Sequence, residues 1–255
     1  MKLIDTHCHI DSCEFDADRD RVLICAFESN VEKIIVPAIT KSRWQRLLSI
    51  CERSDSLYPA LGLHPVYIAQ HNDSDLDELE KQLEKTSLVA IGEIGLDYYI
   101  KDSDKSAQRK LLDSQFSIAS QHRLPVILHC RKAYDDLINL LASHKLHGGI
   151  AHAFNGSIQH AYKLIDLGFK LGFGGMLTYE RSRKLRRLAK SLPLSSIVLE
   201  TDSPDLTVAQ HRGQRNSPEY LPFVFQALAS VRVEPVEELA LKIYQSSLNV
   251  FKLQN

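Results

Sequence analysis

Cysteine is scarce in this sequence and wrongly spaced for structural chemistry. The five thiols, Cys8, Cys13, Cys25, Cys51 and Cys130, are odd in number and form no C-x-x-C pair. That pattern excludes a disulfide framework and a zinc ribbon and fits reduced thiols. An excess of charge is lacking too. Lys plus Arg number 31 and Asp plus Glu 32, for a formal net charge of -1. A broad basic surface is therefore excluded as the main source of nucleic-acid affinity, and only a local basic rim at one cleft is permitted. Long apolar runs are absent: no stretch approaches the ~20 residues of a membrane span, and the N-terminus enters a strand-like segment with no basic n-region or long apolar h-region. The expectation is a cytoplasmic protein, monomeric and without a membrane partner. Low-complexity linkers and short repeats are missing as well, so residues 1–255 are expected to form one domain, a normal length for a single α/β barrel.

What the chain does have is alternation. The segments "KLIDTHCHI", "VEKIIVPAIT", "LYPALGLHP", "SLVAIGEIGLD", "LPVILHC", "GGIAHAF", "FKLGFGGM" and "SIVLETDSP" are eight apolar, β-branched runs, each closed by a polar or Gly/Pro signal. Most are continuous rather than alternating in hydrophobicity, as parallel strands buried on both faces are. Between and after them lie stretches with apolar residues at helical spacing, such as "SRWQRLLSICERS", "DKSAQRKLLDSQFSIASQH" and "PVEELALKIYQSSLNVFKL". Eight such units predict a TIM-type (β/α)8 barrel, with a doubly wound open sheet as the alternative. The densest basic run, "YERSRKLRRLAK", has the spacing of a solvated helix face.

Polar residues interrupt these apolar runs in a telling way. His7 and His9 stand two apart in the first run, so in a strand both side chains project to one face while Cys8 points to the other. Cys130 likewise faces away from His129, and both thiols are expected to pack beneath helices. Glu93, His129, His152, Glu200 and Asp202 occupy the C-terminal parts of other runs, and His64 closes the third in "GLHP". A TIM barrel carries its chemistry at the C-terminal ends of its strands. An ionisable side chain in an apolar strand costs several kcal/mol unless it is paired or bound to a cation. So many at one mouth point to a metal centre rather than to hydrogen-bonded core polars.

The candidate ligands are His7, His9, Glu93, His129, His152 and Asp202. This mixed nitrogen and oxygen set suits Zn²⁺, Mn²⁺ or Fe²⁺ and is generous for one tetrahedral ion. Two ions fit better, with Glu93 as the carboxylate between them. No lysine ends a strand, since Lys33 and Lys170 lie at the wrong ends, so a carbamylated lysine bridge is excluded.

The motifs "DTHCHID", "GLHP", "GEIGLDYY", "PVILHCR", "AHAFNGS" and "LETDSPDL", in this order from Asp5 to Leu206, resemble those of the TatD family of metal-dependent hydrolases. The resemblance runs on to the terminal "SLNVFKL". It implies an amidohydrolase-like barrel with two divalent metal ions, Zn, Mn or Mg, one held by His7, His9, Glu93 and Asp202 and the other by Glu93, His129 and His152. It also implies deoxyribonuclease activity, 3'-5' exonuclease-like on single-stranded DNA or RNA. Two departures stand out: Ala153 gives "HAF" where better-known members have "HCF", and Arg212–Asn216 reads "RGQRN" where they have "RGKRN".

The expected catalytic residues are Asp202, which accepts a proton from the attacking water, and Glu200, two residues earlier and placed to orient His7 or His9, with a simple buried salt bridge as the equal alternative. Asp11 and Asp97 are candidates for similar orienting duty, with loop solvation the favoured account of each. His64, Arg131, Asn155, Arg212 and Asn216 are the candidate substrate contacts, as donors at or beyond strand ends able to hold phosphate oxygens. Tyr98 and Tyr99 read as rim aromatics with stacking on a base as the alternative. The expected partner is a single-stranded nucleic acid or a small phosphoester. Competing readings are a metal-dependent hydrolase of small amides, lactones or phosphoesters, and a non-catalytic metal-binding module.

Overall fold

The computed structural model describes residues 1–254. Its frame is one eight-stranded parallel sheet in sequence order. The strands are β1 (Leu3–Asp5), β2 (Val31–Pro37), β3 (Leu57–Leu61), β4 (Ala90–Asp97), β5 (Val126–Arg131), β6 (Gly149–Ala151), β7 (Phe169–Phe173) and β8 (Ile197–Leu199). Helices α1 (Arg19–Glu28), α2 (Lys41–Cys51), α3 (Asp73–Lys85), α4 (Lys105–Gln121), α5 (Tyr134–Ala142), α6 (Ile158–Asp166) and α7 (Arg183–Ser191) each join one strand to the next. Two more, α8 (Leu221–Ala229) and α9 (Val236–Phe251), follow β8. The barrel closes where the end of β1 meets the segment after β8. Thr6 N–H donates to Leu199 O (3.0 Å) and Asp202 N–H to His7 O (2.8 Å). The buried Asp5 carboxylate accepts from Thr201 N (2.9 Å) and Thr201 Oγ1 (2.5 Å), and burial lifts its pKa to about 8.

The continuous apolar runs bury both faces of each strand. Inward-facing Ile35, Ala60, Ala90, Ile127, Ile150 and Val198 fill the barrel, stoppered by Val250 and Phe251 of α9. Outward-facing residues meet the helices in a second cluster that includes Leu47, Leu79, Phe116, Leu137 and Leu164. Each fully buried side chain of this size contributes roughly 1.5–3 kcal/mol. Cys8 and Cys130 pack in the same outer cluster, and all five cysteines are free. With the C-terminal stopper below, the opposite mouth is left to polar side chains.

Strand ends fall earlier than the apolar runs suggest. β1, β6 and β8 stop at Asp5, Ala151 and Leu199, so His7, His9, His152, Glu200 and Asp202 lie just past their strands rather than inside them. The backbone stays engaged beyond these points through single bonds, from Cys8 N to Ile35 O (3.0 Å), His152 N to Leu128 O (3.0 Å) and Glu200 N to Phe173 O (3.2 Å). The chain then swings outward through left-handed residues Ala153 (φ 43°) and Asp202 (φ 58°). In β4 the register against β5 advances three residues for two, from Ile91 opposite Val126 to Ile94 opposite Leu128. A bulge of this kind re-aims a side chain, and Glu93 lies within it.

One glycine is obligatory for this geometry. Gly95 sits at φ 154°, where an added Cβ would stand 1.9 Å from His129 O, the ladder partner across β4 and β5. Gly95→Ala is expected to destabilise the metal-free protein by several kcal/mol, on the order of 3, from overpacking and backbone strain. Chemical denaturation measures it; a midpoint equal to wild type would show that the two strands can part there.

Candidate metal centre

The carboxylate of Glu93, 2% exposed, lies between two groups of imidazoles. Its Oε2 is 3.3 Å from His7 Nε2 and 3.6 Å from His9 Nε2. Asp202 Oδ1 joins from the far side of the closure, 3.5 Å from His7 Nε2 and 3.6 Å from His9 Nε2, and the two imidazole nitrogens are 3.2 Å apart. These distances match the edges of a tetrahedron of donors around a cation with bonds of ~2.0–2.2 Å, about 3.3–3.6 Å. The other oxygen of Glu93, Oε1, is 3.1 Å from His129 Nδ1, 3.2 Å from His64 Nε2 and 3.7 Å from His152 Nε2. Asp202 Oδ2 lies 4.0 Å from His152 Nε2.

The outer hydrogen bonds decide which ring nitrogen faces inward. His9 Nδ1 donates to Pro37 O (3.0 Å) and His129 Nε2 donates to Asp97 Oδ2 (3.0 Å). His152 Nδ1 lies 3.2 Å from Glu200 Oε1. The first two contacts leave the opposite nitrogen's lone pair aimed at the centre, the arrangement by which a metal-binding histidine is held in its tautomer, whereas His152 Nδ1 approaches Glu200 without a hydrogen bond. Lone pairs and carboxylate oxygens facing one another at such distances repel unless a cation lies among them, so the donor set fits divalent metal. His64 differs. Its Nδ1 accepts from Val66 N (3.1 Å), which in the neutral ring puts the proton on Nε2 and makes His64 a donor to Glu93 Oε1.

Electrostatics follow from this packing. Burial alone raises the Glu93 carboxyl, but His64, His7 and His152 around it hold its pKa well below the usual range. Burial and the neighbouring His152 push His7 well down, and burial lowers His64 to about 4, so both rings are neutral. Against the cost of burial, Asp202, Glu200 and Glu93 raise His152 to about 10. That proton is one a divalent cation would displace. Burial lifts the Asp202 carboxyl to about 6.

Among the other expected site residues the structure separates three groups. Arg131 and Asn155 line a cavity of about 530 Å³ beside the centre, with His129, His152 and Asp202 on its inner side and Phe154, Phe173, Met176, Leu177 and Leu185 as apolar wall. Arg131 stacks 3.6 Å over the Tyr99 ring, which is 52% exposed, whereas the Tyr98 hydroxyl is tied to Asp136 (2.7 Å). A second cavity of about 280 Å³ opens on the other side, lined in part by His9, His64, Arg43 and Tyr67.

Other residues depart from expectation. Glu200 is fully buried against His152 and Ala153 N (2.6 Å), not against His7 or His9. The residues after β8 return toward β6 and β7 at that depth, and the Gly172 backbone leaves the space its carboxylate fills. Asn216 is fully buried, its amide donating to Thr201 O (2.8 Å) and Asp205 O (2.7 Å) while its oxygen accepts from Ser217 N (3.0 Å). It shapes the loop and has no group left for substrate. Arg212 is exposed and lines neither of these two cavities. Asp97 and Asp11 are buried, not solvated. Asp97 orients His129, a role signalled only by its place at the end of β4; Asp11 makes no bond to an imidazole among the described residues. Asp205 and Arg43, which line the cavities, carried no signal in the sequence beyond Asp205's position three residues after Asp202.

The family model described as TatD related DNase matches residues 4–252. The chain belongs to the TatD family. It is 41% identical to the uncharacterized metal-dependent hydrolase YjjV of Escherichia coli K12, over 99% of this chain and 98% of that protein. The crystal structure of that TatD homolog superposes with a TM-score of 0.95. A second relative, the uncharacterized metal-dependent hydrolase YabD of Bacillus subtilis, is 32% identical over 98% of this chain and 99% of its own length. This TatD-family protein is thus a metal-dependent hydrolase on an eight-stranded barrel, with clustered His, Glu and Asp side chains able to hold metal at the mouth. Among its described residues no helix is long and apolar enough to cross a membrane.

Proposed function

We propose that this protein hydrolyses phosphodiester bonds of single-stranded nucleic acid from a chain end, using two divalent cations. The observation that carries this reading is the division of one carboxylate: Glu93 turns Oε2 to His7 and His9 and Oε1 to His129 and His152. A bridging carboxylate of this kind suits two ions about 3.5–4 Å apart, the spacing used for in-line displacement at phosphorus. The chemistry supplied by divalent ions there is activation of water at neutral pH and neutralisation of charge on the phosphoryl group.

The protein's own groups do the rest. His7, His9 and Asp202 would hold the first ion, and His129 and His152 the second. Asp97 and Glu200 fix the second pair of rings. Asp202 takes the proton from the attacking water. His64 Nε2–H donates to a phosphoryl oxygen when substrate is seated, and Arg131 and Asn155 on the cavity rim grip the phosphate on that side. The cavity of about 530 Å³ takes one terminal nucleoside beyond the scissile bond. Membership of the TatD related DNase family supports a nucleic-acid substrate.

The apolar wall of that cavity favours a second reading, a hydrolase of small amides, lactones or phosphoesters. Reconstitution of metal-free protein with Zn²⁺, Mn²⁺ or Mg²⁺, followed by a panel of oligonucleotides, circular single strands, phosphomonoesters, amides and lactones, separates the two. The expected result is mononucleotide release from linear strands and no cleavage of circles. Turnover of an amide or lactone with intact oligonucleotides would replace the nuclease reading, and rapid cleavage of circles would remove the terminal attack.

A further inference from the structure

Helix α7 carries the densest cationic surface of the molecule, and nothing in the metal centre explains it. From Arg181 to Lys190 the sequence holds Arg181, Arg183, Lys184, Arg186, Arg187 and Lys190 without one acid. Two of these are engaged in anchoring the helix to the cavity wall: Lys184 donates to Asn155 O, and Arg186 to Leu177 O (3.2 Å) and Ser230 Oγ (3.1 Å). Leu185, between them, lines the cavity of about 530 Å³. Arg183, Arg187 and Lys190 are exposed, and among the described residues none has an ion pair or side-chain hydrogen bond. Their spacing of four and three puts them on one face of the helix.

Elsewhere several arginines meet acids, and the unpaired cations are scattered singly rather than gathered on one helix face. Arg19 and Arg46 pair with Asp16, Arg53 with Asp20, Arg109 with Asp136, and Arg215 with Asp18. A merely solvated helix intersperses the two signs, because like charges at this spacing repel. In α7 the first turn also lacks an acid and bears Arg183 and Lys184 at the positive end of the helix dipole, where cations are disfavoured. The arrangement works against the helix in two ways, and a bound anion would relieve both.

We propose that the outer face of α7, formed by Arg183, Arg187 and Lys190, is a track for the phosphodiester backbone of a single-stranded nucleic acid whose end occupies the adjoining cavity. The inference rests on the phosphodiesterase reading above for its choice of polyanion. α7 follows β7 and so starts at the mouth, with its cationic face toward solvent and opposite the cavity-lining Leu185; a strand leaving the cavity over the first turn of the helix meets Arg183, then Arg187 and Lys190. A near-neutral protein thereby gains local affinity for a polyanion without a broad basic surface.

Binding of a fluorescein-labelled single-stranded oligonucleotide to the metal-free protein, followed by anisotropy over a range of salt, tests the track without requiring cleavage. Arg183→Glu/Arg187→Glu/Lys190→Glu is expected to weaken binding tenfold or more at low salt and to flatten the salt dependence by about two units of log K against log salt, as losing three phosphate contacts on a single strand requires. The neutral set Arg183→Gln/Arg187→Gln/Lys190→Gln should lie between it and wild type, and thermal melting checks that both fold. A control, Lys85→Glu/Lys145→Glu/Lys242→Glu, makes the same change of net charge at exposed lysines elsewhere and should keep wild-type affinity. Equal binding by wild type and the α7 variants, no binding by wild type at low salt, or equal weakening in the control would each overturn the track. Failure of the phosphodiesterase reading shows itself separately, when metal-loaded wild type leaves a dinucleotide intact whatever the binding curves give.

Discussion

Replacing Glu93 with Gln is expected to deprive the proposed two-ion centre of both cations while leaving the barrel standing. The carboxylate presents one oxygen to each imidazole group, within 3.1–3.3 Å of the nearest nitrogen on either side. A carboxamide keeps the volume, but it offers one acceptor and turns an N–H₂ donor toward the other group, where a cation would have to sit. It also removes the negative charge that two ions would share in a nearly sealed site. Affinity at both positions should fall by more than about a hundredfold, a larger loss than that seen when only an outer partner of a ligand is removed. His152→Ala provides the contrast. His152 Nε2 reaches Glu93 Oε1 at 3.7 Å, on the side of His129, so its removal should empty mainly one position. Elemental analysis after reconstitution and desalting decides: two ions retained in Glu93→Gln would rule out the shared carboxylate.

The convergence of His7, Glu93, His129, His152 and Asp202 is legible in the sequence because each interrupts an apolar run that the fold must bury, and an ionisable group there is costly without a partner. The alternation of runs and helical stretches carries the barrel for the same reason. Orientation across the barrel is a different kind of information. Spacing alone puts Glu200 and Asp202 on one face, yet the left-handed turn at Asp202 separates them, sending Glu200 to His152 and Asp202 to His7 and His9. Asn216 shows the same limit, since a polar residue beyond a strand end reads alike whether it faces a phosphate or, as here, three backbone groups of its own loop. Asp97 is legible only by position, because its burial depends on His129 from the next strand. The basic helix is readable as a charged face, but the absence of acids opposite Arg183, Arg187 and Lys190 appears only when every neighbouring element is in place.

Asp202→Asn is expected to abolish turnover in a protein that still folds and still binds an oligonucleotide. The residue stands at φ 58°, a left-handed conformation that Asn tolerates as well as Asp, so the substitution adds no backbone strain. Its backbone N–H to His7 O, which ties the barrel closure, is untouched. What changes is the side chain, 14% exposed and lining both cavities. As a carboxylate, Asp202 both completes the donor set with His7 and His9 and has an oxygen free to take a proton; the amide does the first poorly and the second not at all. Losing an interaction made chiefly in the transition state costs on the order of 3–4 kcal/mol, a hundredfold to thousandfold in kcat. A defect confined to metal loading would recover as metal is raised, whereas loss of the proton acceptor would not. Rates on end-labelled single-stranded DNA are therefore to be measured at increasing metal concentration. A variant that regains the wild-type rate at saturating metal would reduce Asp202 to a ligand and move the proton acceptor to another carboxylate at the mouth, such as Asp205, which lines both cavities.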